Sequence, residues 1–199
     1  KTSKSAQDYA KIFCNRALKK SKENSFVLEI ASNDGTFLKP FIKKRKKVLG
    51  VDPAKNIAKI ANQEGVKTLP YFFNKKIADK IRYEYGKPDI IFARNVIPHV
   101  KNILSVIQGI NSLLSKNGTG IIEFHYSKII QDELHYDSIY HEHLFYFTVN
   151  TLTELLKKYG LFAFDADRSP ISGGSFVIFF SKKKKDITKD FKLAILDEE

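Results

Sequence analysis

Short apolar runs alternate with segments of helical periodicity between residues 26 and 125, and this alternation constrains the fold more than any other feature. Each run has the length and composition of a buried strand rather than of a helix. The five predicted strands are FVLEIA, VLGVD, VKTL, DIIFA and GTGIIEF. Because consecutive parallel strands need a crossover, usually a helix, the alternation predicts a mainly parallel sheet with helices on both faces.

The pattern changes after residue 125. SKIIQDEL predicts a short helix, YHEHLFYF an extended or irregular segment, and TVNTLTELLKKYG a helix capped by Thr148 or Thr151. LFAFDADR and GGSFVIFFS predict two strands that face each other across a turn, at one edge of the sheet. A leading helix within residues 1–25 precedes the first strand. The length of 199 residues favours a single domain, 1–199.

Composition narrows the class of protein further. The single cysteine, Cys14, excludes an internal disulfide and a multi-cysteine zinc site, which is compatible with a reducing compartment. No apolar run approaches the roughly 18 residues that a membrane helix requires. We therefore predict a cytoplasmic protein without a membrane partner.

The net charge of +12 raises the question of an anionic partner. Lysines collect in two runs, residues 43–47 and 182–185, and are otherwise spread over positions typical of exposed helix faces. The simpler interpretation of these lysines is that they form solvent-exposed helix faces. A weaker interpretation is that they attract a small polyanion such as a nucleotide diphosphate. No strand combines aromatic and basic residues as base recognition requires, so no nucleic-acid partner is predicted. The alternative to an enzyme is a non-catalytic, basic module that binds nucleic acid through this charge.

The turn after the first predicted strand, in VLEIASNDG, is the first candidate ligand site. Glu29 ends the strand, and Gly35 stands where the chain turns into the next helix. Ligands of open parallel sheets bind outside the carboxyl ends of the strands. The turn differs from the dinucleotide fingerprint, because Ala31 and Asn33 occupy the positions of its first two glycines.

Asp52 follows the second predicted strand, 17 residues after Gly35. A carboxylate in that place can accept both hydroxyls of a ribose, and it serves any adenosine-bearing cofactor, NAD or S-adenosyl-L-methionine alike. The alternative is that Asp52 caps a helix beginning at Pro53. The two roles are compatible.

The order of the predicted strands distinguishes these cofactors. Two dinucleotide-binding halves need six strands in one helix-strand series, whereas here five alternating strands are followed by a strand pair. That ending is typical of class I methyltransferases that use S-adenosyl-L-methionine, whose last strand runs antiparallel between its neighbours. We therefore predict this Rossmann-like α/β fold, with a mainly parallel seven-stranded sheet flanked by helices. Asn95, in FARNVIPHV, stands where such folds contact the methionine part of the cofactor.

Several longer motifs resemble one family in particular, the sugar-nucleotide C-methyltransferases. The similar segments are VLEIASNDGTFLKPF, GVDPAKNIA, NVIPHV, IEF, YDSIYHEHLFYF and GGS. Enzymes of that family methylate a carbon beside the ketone of a nucleotide-linked 4-keto sugar. The resemblance implies S-adenosyl-L-methionine as cofactor, such a sugar as substrate, and a role in carbohydrate biosynthesis. A small-molecule O- or N-methyltransferase is the alternative enzyme on the same scaffold.

The resemblance also implies roles for individual residues. Those implied in cofactor binding are Glu29, Ala31, Asn33, Gly35, Asp52, Pro53, Asn95 and His99. Those implied at the sugar are Tyr140, Glu142 and His143 as catalytic residues, with Tyr126, His141 and Gly174 as substrate contacts. Residues 26–125 are then the cofactor-binding half, 126–182 the substrate-side segment with the terminal strand pair, and 183–199 a tail.

Some of these assignments have a structural alternative. For Tyr126, after the fifth strand, packing and a substrate contact are equal alternatives. Gly174 belongs to a GGS segment that can be a glycine turn with positive φ. The segment FFN, residues 72–74, is interpreted as core followed by a helix cap, although the family fold would place part of it beside the adenine.

Methylation of a carbon beside a ketone requires a base to remove a proton and a donor to stabilise the enolate oxygen. Our hypothesis is that His143 is the base, that Glu142 or a neighbouring carboxylate supports it, and that Tyr140 donates to the oxygen. Because alternate residues of a strand point to opposite faces, the segment is predicted to be irregular. The competing interpretations are structural histidines, or a metal bound by His135, His141 and His143; no metal is predicted.

The chain departs from the family pattern at Arg94, Pro98, His125, Ser172 and Val177. Ser172 and Val177 flank GGS, where the family commonly has a His and an Arg, so they concern the identity of the substrate rather than the reaction. The family also carries an amino-terminal cysteine-bound zinc module and a carboxy-terminal Rossmann-like module. This chain is expected to correspond to the central catalytic module alone.

Overall fold

A computed structural model describes residues 2–21, 26–169 and 174–198. The strands within these residues are β1 Phe26–Ile30, β2 Lys47–Val51, β3 Thr68–Leu69, β4 Ile90–Arg94, β5 Thr119–His125, β6 Phe162–Arg168 and β7 Ser175–Ser181. They form one sheet in the order β3-β2-β1-β4-β5-β7-β6. Strands β1 to β5 are parallel, and β7 runs antiparallel between β5 and β6. The predicted fold class is confirmed, including the antiparallel last strand.

Helices connect the strands and cover both faces of the sheet. In the described residues they are α1 Lys4–Lys20, α2 Lys39–Lys43, α3 Lys55–Gln63, α4 Lys75–Tyr85, α5 Ile103–Leu113, α6 Ser127–Asp132, α7 Val149–Lys158 and α8 Lys189–Leu196. Two single 3-10 turns, Ile97–His99 and Tyr136–Ser138, lie in the loops after β4 and α6. None of these described helices has the length and apolar character needed to span a membrane.

Some helices differ from the sequence-based expectations. Helix α3 begins at Lys55 and not at Pro53, because the chain first makes a turn. Helix α2, with five residues, is too short to give a periodic signal. Helix α8 lies within the predicted tail, where Thr188 caps its first turn. Of the two candidate caps of α7, Thr148 is the cap, and the Thr151 hydroxyl accepts a hydrogen bond in return from the Thr148 amide.

Strand β4 shows how the core is divided between the two faces. Ile90 and Phe92 point to the face covered by α1, where the Phe92 ring centroid lies 5.0 Å from that of Phe13. Ile91 and Ala93 point to the opposite face and pack in the cluster that contains α4 and α5. Since both faces of the central strands are buried, their sequence is continuously apolar, as in other parallel sheets.

The turn between β1 and α2 adopts an uncommon backbone conformation. Ala31, Asn33 and Gly35 have φ values of 56°, 49° and 75°. A Cβ atom at Gly35 would lie 2.7 Å from a methyl carbon of Val66, so the backbone approaches that side chain too closely for any other residue. Gly35 is therefore required for packing as well as for its positive φ.

Gly35→Ala is expected to lower the free energy of unfolding by about 2–4 kcal/mol, since it adds both left-handed strain and a steric overlap. Gly65→Ala is the matched control, because Gly65 has φ +82° with no atom within 4 Å of the added carbon. The control should lose only about 1 kcal/mol. Urea denaturation measures both values, and equal losses would show that the close approach to Val66 contributes nothing.

Candidate active site

A cavity of about 1110 Å³ opens at the carboxyl ends of β1, β2 and β4; we call it the first cavity. The turns after these strands and the first residues of α4 and α5 form its walls. Its lining residues are Ile30, Ala31, Val51, Pro53, Phe72, Phe73, Asn74, Lys75, Lys76, Asp79, Val96, His99, Val100, Lys101, Asn102, Ser105 and Val106. Three of the residues predicted for the cofactor, Ala31, Pro53 and His99, are among them.

Asp52 lies between two lining residues and braces the turn beside the cavity. Its Oδ2 accepts the amide N–H of Asn33 at 2.9 Å, and its Oδ1 accepts that of Ala54 at 2.9 Å. Ala54, and not Asp52, is the residue before the first turn of α3. Each carboxylate oxygen has two acceptor sites, so one remains on each oxygen for a further donor. The geometry thus leaves Asp52 able to bind a ligand while it holds two loops together.

The segment FFN, residues 72–74, contributes both to the core with its helix cap and to the wall of the first cavity. Phe73 is buried in the core, and the Asn74 side chain caps α4 by accepting the amide N–H of Ile77 at 3.0 Å. Phe72 is 76% exposed and lines the first cavity. An exposed aromatic ring at a cavity wall is available to stack on a flat ligand.

Charged side chains are buried at the ends of β1, β4 and β5, outside the linings of the first cavity and on the face of the sheet covered by α1. Arg94 Nε donates to Glu123 Oε2 at 2.6 Å, and Ser169 Oγ donates to Glu123 Oε1 at 2.8 Å. The Arg94 guanidinium lies 3.3 Å from the centroid of the Phe37 ring. Arg94, which departs from the family pattern, therefore neutralises a buried carboxylate in this protein.

Glu29 is the one of these groups that has an unsatisfied atom. It is buried, and its Oε2 has no hydrogen-bond partner among the described residues. Burial raises the pKa of Glu29 well above its ordinary value, and the nearby Arg94 opposes this shift only in part. A buried acceptor without a partner costs free energy, so a donor from a ligand would stabilise it.

A second cavity, of about 370 Å³, adjoins the ends of β4 and β5. We call it the second cavity; its lining residues are Asn95, Pro98, His99, His125, Asp137, Ser138, Tyr140, His143 and Ser175. His99 lines both cavities. The sequence therefore predicted four of these residues, Asn95, His99, Tyr140 and His143.

Two backbone carbonyls fix the tautomers of the central histidines. The Nδ1 of His143 lies 2.8 Å from the Ser138 oxygen, and the Nδ1 of His99 lies 2.9 Å from the Glu142 oxygen. Because a carbonyl only accepts, each neutral ring carries its proton on Nδ1 and keeps a lone pair on Nε2. The two ring centroids are 4.7 Å apart. Each imidazole is thus set up to accept a proton.

The loop that carries these histidines is irregular, as predicted. The Pro98 oxygen accepts the amide N–H of Leu144 at 2.9 Å, which ties the loop to the turn after β4. The side chains of His141 and Glu142 are exposed and do not line the second cavity. Glu142 contacts the site through its backbone carbonyl, a contact that residue type alone could not indicate.

The remaining predicted substrate contacts, Tyr126 and Gly174, lie outside the cavity linings. Tyr126 is fully buried, with its ring centroid 4.6 Å from that of Phe176, and burial, followed by the Glu198 carboxylate, raises its pKa. Of the two alternatives for Tyr126, the geometry corresponds to packing. Gly174 has φ +97°, and a Cβ there would lie 2.7 Å from Ile129, which corresponds to the glycine-turn interpretation. Ser172 and Gly173 lie outside the described residues.

The sequence analysis did not identify Asp137, Ser138 and Ser175 as cavity residues, and it noted Pro98 and His125 only as departures from the family pattern. Asp137 and Ser138 immediately precede the tyrosine and histidine motif, which was the available signal. Ser175 is paired with His125 in the antiparallel register of β5 and β7. That register joins residues 50 positions apart, so no local pattern could reveal it. Among the described residues, no cluster of three or more His, Cys, Asp or Glu has a metal-binding arrangement.

Comparisons with known sequences agree with this geometry. A family profile described as a methyltransferase domain matches residues 4–163. The chain is 32% identical over 164 residues to the C-methyltransferase NovU of Streptomyces niveus. The alignment covers 82% of this chain but only 39% of NovU, so the chain spans less than half the length of this curated relative.

Comparisons with solved structures concern the fold alone, because the identities are low. A SAM-dependent methyltransferase from Archaeoglobus fulgidus matches with a TM-score of 0.68 and 13% identity, over 87% of this chain and 93% of that one. The magnesium protoporphyrin IX methyltransferase of Synechocystis with bound SAM matches with a TM-score of 0.64 and 12% identity, over 88% and 78%. The methyltransferase-domain profile and the identity to NovU, with which the sheet order agrees, show that the chain belongs to the family of S-adenosyl-L-methionine-dependent methyltransferases.

Proposed function

We propose that this chain transfers a methyl group from S-adenosyl-L-methionine to the carbon beside the ketone of a nucleotide-linked keto sugar. The observation that carries the proposal is the adjacency of the two cavities, with His99 in the wall of both and His143 at its side. The C-methyltransferase NovU and the motif YDSIYHEHLFYF support transfer to carbon. A cytoplasmic role in carbohydrate biosynthesis, with no nucleic-acid partner, belongs to the same proposal.

The residues around the first cavity fit the cofactor. Ile30, Val51 and the exposed ring of Phe72 provide apolar surface for an adenine. Asp52 has acceptor sites for ribose hydroxyls. Glu29 does not line the cavity; it stays in the proposal because its buried Oε2 is an acceptor without a partner among the described residues. When bound, S-adenosyl-L-methionine supplies an electrophilic methyl group on its sulfonium.

The second cavity supplies the acid-base chemistry of the acceptor. His143 Nε2 takes the proton from the carbon beside the ketone, and the electron pair of the broken C–H bond becomes the enolate. The Ser138 oxygen holds the Nδ1 proton of His143 and stabilises the imidazolium that forms. Tyr140 donates its hydroxyl proton to the enolate oxygen in this proposal, which is supported by its place in the second cavity, with its ring centroid 4.3 Å from that of His143. The resulting carbon nucleophile would accept the methyl group as the sulfur–methyl bond breaks, and the electron pair of that bond would stay on sulfur in the departing thioether.

The supporting carboxylate in this proposal is Asp137. It lines the second cavity, whereas the Glu142 side chain is exposed. Glu142 acts through its carbonyl oxygen, which orients His99. Glu142 therefore positions an imidazole through its backbone, and Asp137 is the carboxylate in the lining of the second cavity.

Asp52→Asn is expected to weaken binding of S-adenosyl-L-methionine by about 10- to 100-fold, because a charged acceptor of ribose hydroxyls is replaced by an amide. Isothermal titration calorimetry with S-adenosyl-L-methionine measures the change. Asp132→Asn, at an exposed aspartate paired with Lys128, is the matched control and should bind normally. Unchanged affinity in a folded Asp52→Asn protein would remove Asp52 from the cofactor site.

His143→Ala is expected to slow deuterium exchange at the carbon beside the ketone by at least about 100-fold, since the base is lost. The exchange is followed by mass spectrometry with a nucleotide-linked 4-keto sugar in heavy water. His135→Ala is the control, because His135 contacts Glu133 and lies outside both cavities.

Exchange at the wild-type rate in His143→Ala would eliminate His143 as the base. Methylation of the acceptor by the wild-type protein without any such exchange would instead favour transfer to oxygen or nitrogen, which needs no carbon deprotonation.

A further inference from the structure

The excess positive charge of this protein collects at the edge of the sheet opposite the two cavities. Lys47 begins β2, Lys67 precedes β3, and Lys87 precedes β4. Residues 182–185 follow β7, which is antiparallel and therefore ends at this same edge. We call Lys47, Lys67, Arg82, Lys87 and residues 182–185 the basic edge.

Contacts on its β2 side connect the lysines around one tyrosine. Lys47 Nζ donates to the Tyr85 oxygen at 2.8 Å, and Lys67 Nζ lies 4.7 Å from the centroid of the Tyr85 ring. Tyr85 ends α4, whose last turn also carries Arg82. The C-terminal end of this helix thus gathers three cations, an arrangement that its dipole favours.

Contacts on the β7 side continue the same surface. Lys182 Nζ donates to the Leu114 oxygen at 2.7 Å, and Lys183 Nζ donates to Asn117 Oδ1 at 2.8 Å. Burial lowers the pKa of Lys182, and the charges of Lys87 and Arg82 lower it further. The two halves therefore lie close enough to repel each other, and an anion along the edge would relieve that repulsion.

The acidic groups at this edge leave it strongly positive. Asp89 is buried and accepts the amide N–H of Phe26 at 3.1 Å, and Asp165 pairs with Lys20. Glu84 is 3.8 Å from Lys80, and Asp79 is 3.5 Å from Arg82, so Asp79 offsets one charge of the basic edge. Asp186 follows the lysine run and subtracts one charge from it. The eight cations of the basic edge extend from β3 to β7, five strand spacings, or about 24 Å.

We propose that the basic edge docks this protein on the surface of an anionic phospholipid bilayer. Lysine outnumbers arginine seven to one in it, and an ammonium is a point charge suited to a diffuse anionic surface rather than to bidentate recognition. Tyr83, next to Arg82, is 92% exposed, and tyrosine favours the bilayer interface. Docking at this edge leaves both cavities, at the opposite edge, open to water.

This inference differs from two expectations drawn from the sequence. The absence of a spanning segment predicted no membrane partner, but surface docking needs charge and no spanning helix. The lysine runs were also a candidate attractor for the diphosphate of an acceptor. Because both runs lie away from the cavities, the structure gives that role no support.

The test is cosedimentation of the chain with vesicles of pure phosphatidylcholine and of phosphatidylcholine mixed with phosphatidylglycerol. We expect binding to the anionic vesicles alone, weakened as salt shortens the range of the charges. The triple variant Lys87→Glu, Lys183→Glu, Lys184→Glu should bind at least about 100-fold more weakly, since each lysine contributes about fivefold. The triple variant Lys4→Glu, Lys55→Glu, Lys192→Glu is the control, with the same net charge and the basic edge intact.

Each outcome decides the proposal. Loss of binding to anionic vesicles in the basic-edge variant, with binding retained in the control variant, supports the proposal, provided that both variants keep the far-ultraviolet circular dichroism of the wild type. Equal loss in both variants overturns it, because net charge alone would then explain the binding. No binding to anionic vesicles at 50 mM salt overturns it as well, and tighter, salt-sensitive binding to duplex DNA would assign the edge to nucleic acid instead. None of these outcomes depends on the acceptor or on the proposed reaction.

Discussion

The common direction of the parallel strands is the constraint on which the rest of this structure depends. Crossover helices return the chain to the same edge before each new strand, so the turns after β1, β2, β4 and β5 all meet at the carboxyl edge. Both cavities form there because the strand order reverses beside β1 and leaves a crevice. The same rule brings the residues that precede the strands to the other edge, where the lysines collect. The common direction of the strands thus places the two cavities and the basic edge at opposite edges of the sheet.

Backbone groups, more than side chains, hold the candidate site in shape. Asp52 accepts two amide N–H groups from neighbouring turns, and the oxygens of Ser138 and Glu142 orient His143 and His99. A backbone donor or acceptor is positioned by the fold and loses no side-chain entropy when it binds. The buried pair of Arg94 and Glu123 lies at the ends of β4 and β5, and the nearby Glu29 keeps an oxygen without a partner among the described residues.

The fold could be predicted from local patterns, because strand burial and helix periodicity are encoded within a few residues of each other. Local patterns predicted only the terminal strand pair; the antiparallel position of β7 between its neighbours was expected because that ending is typical of class I methyltransferases. Helices α2 and α8 were not predicted. Helix α2 has only five residues, and α8 has only two buried residues, Phe191 and Ala194, so neither gives a clear periodic pattern. Of the residues singled out in the sequence, Asn95, His99, Tyr140 and His143 line the second cavity. Tyr126 instead lies in the core, where it packs against Phe176.

Residue type and spacing encode the order of strands and helices along the chain, the residues able to carry protons, and the size of the net charge. Which of those residues face one another depends on the folded arrangement. It placed His125 beside Ser175 through strand register, gave Glu142 a role through its carbonyl and not its carboxylate, and gathered lysines from distant turns at one edge. Contacts between residues far apart in the chain arise when several helices and strands pack and bury their apolar surfaces together. A short segment of sequence does not contain that information.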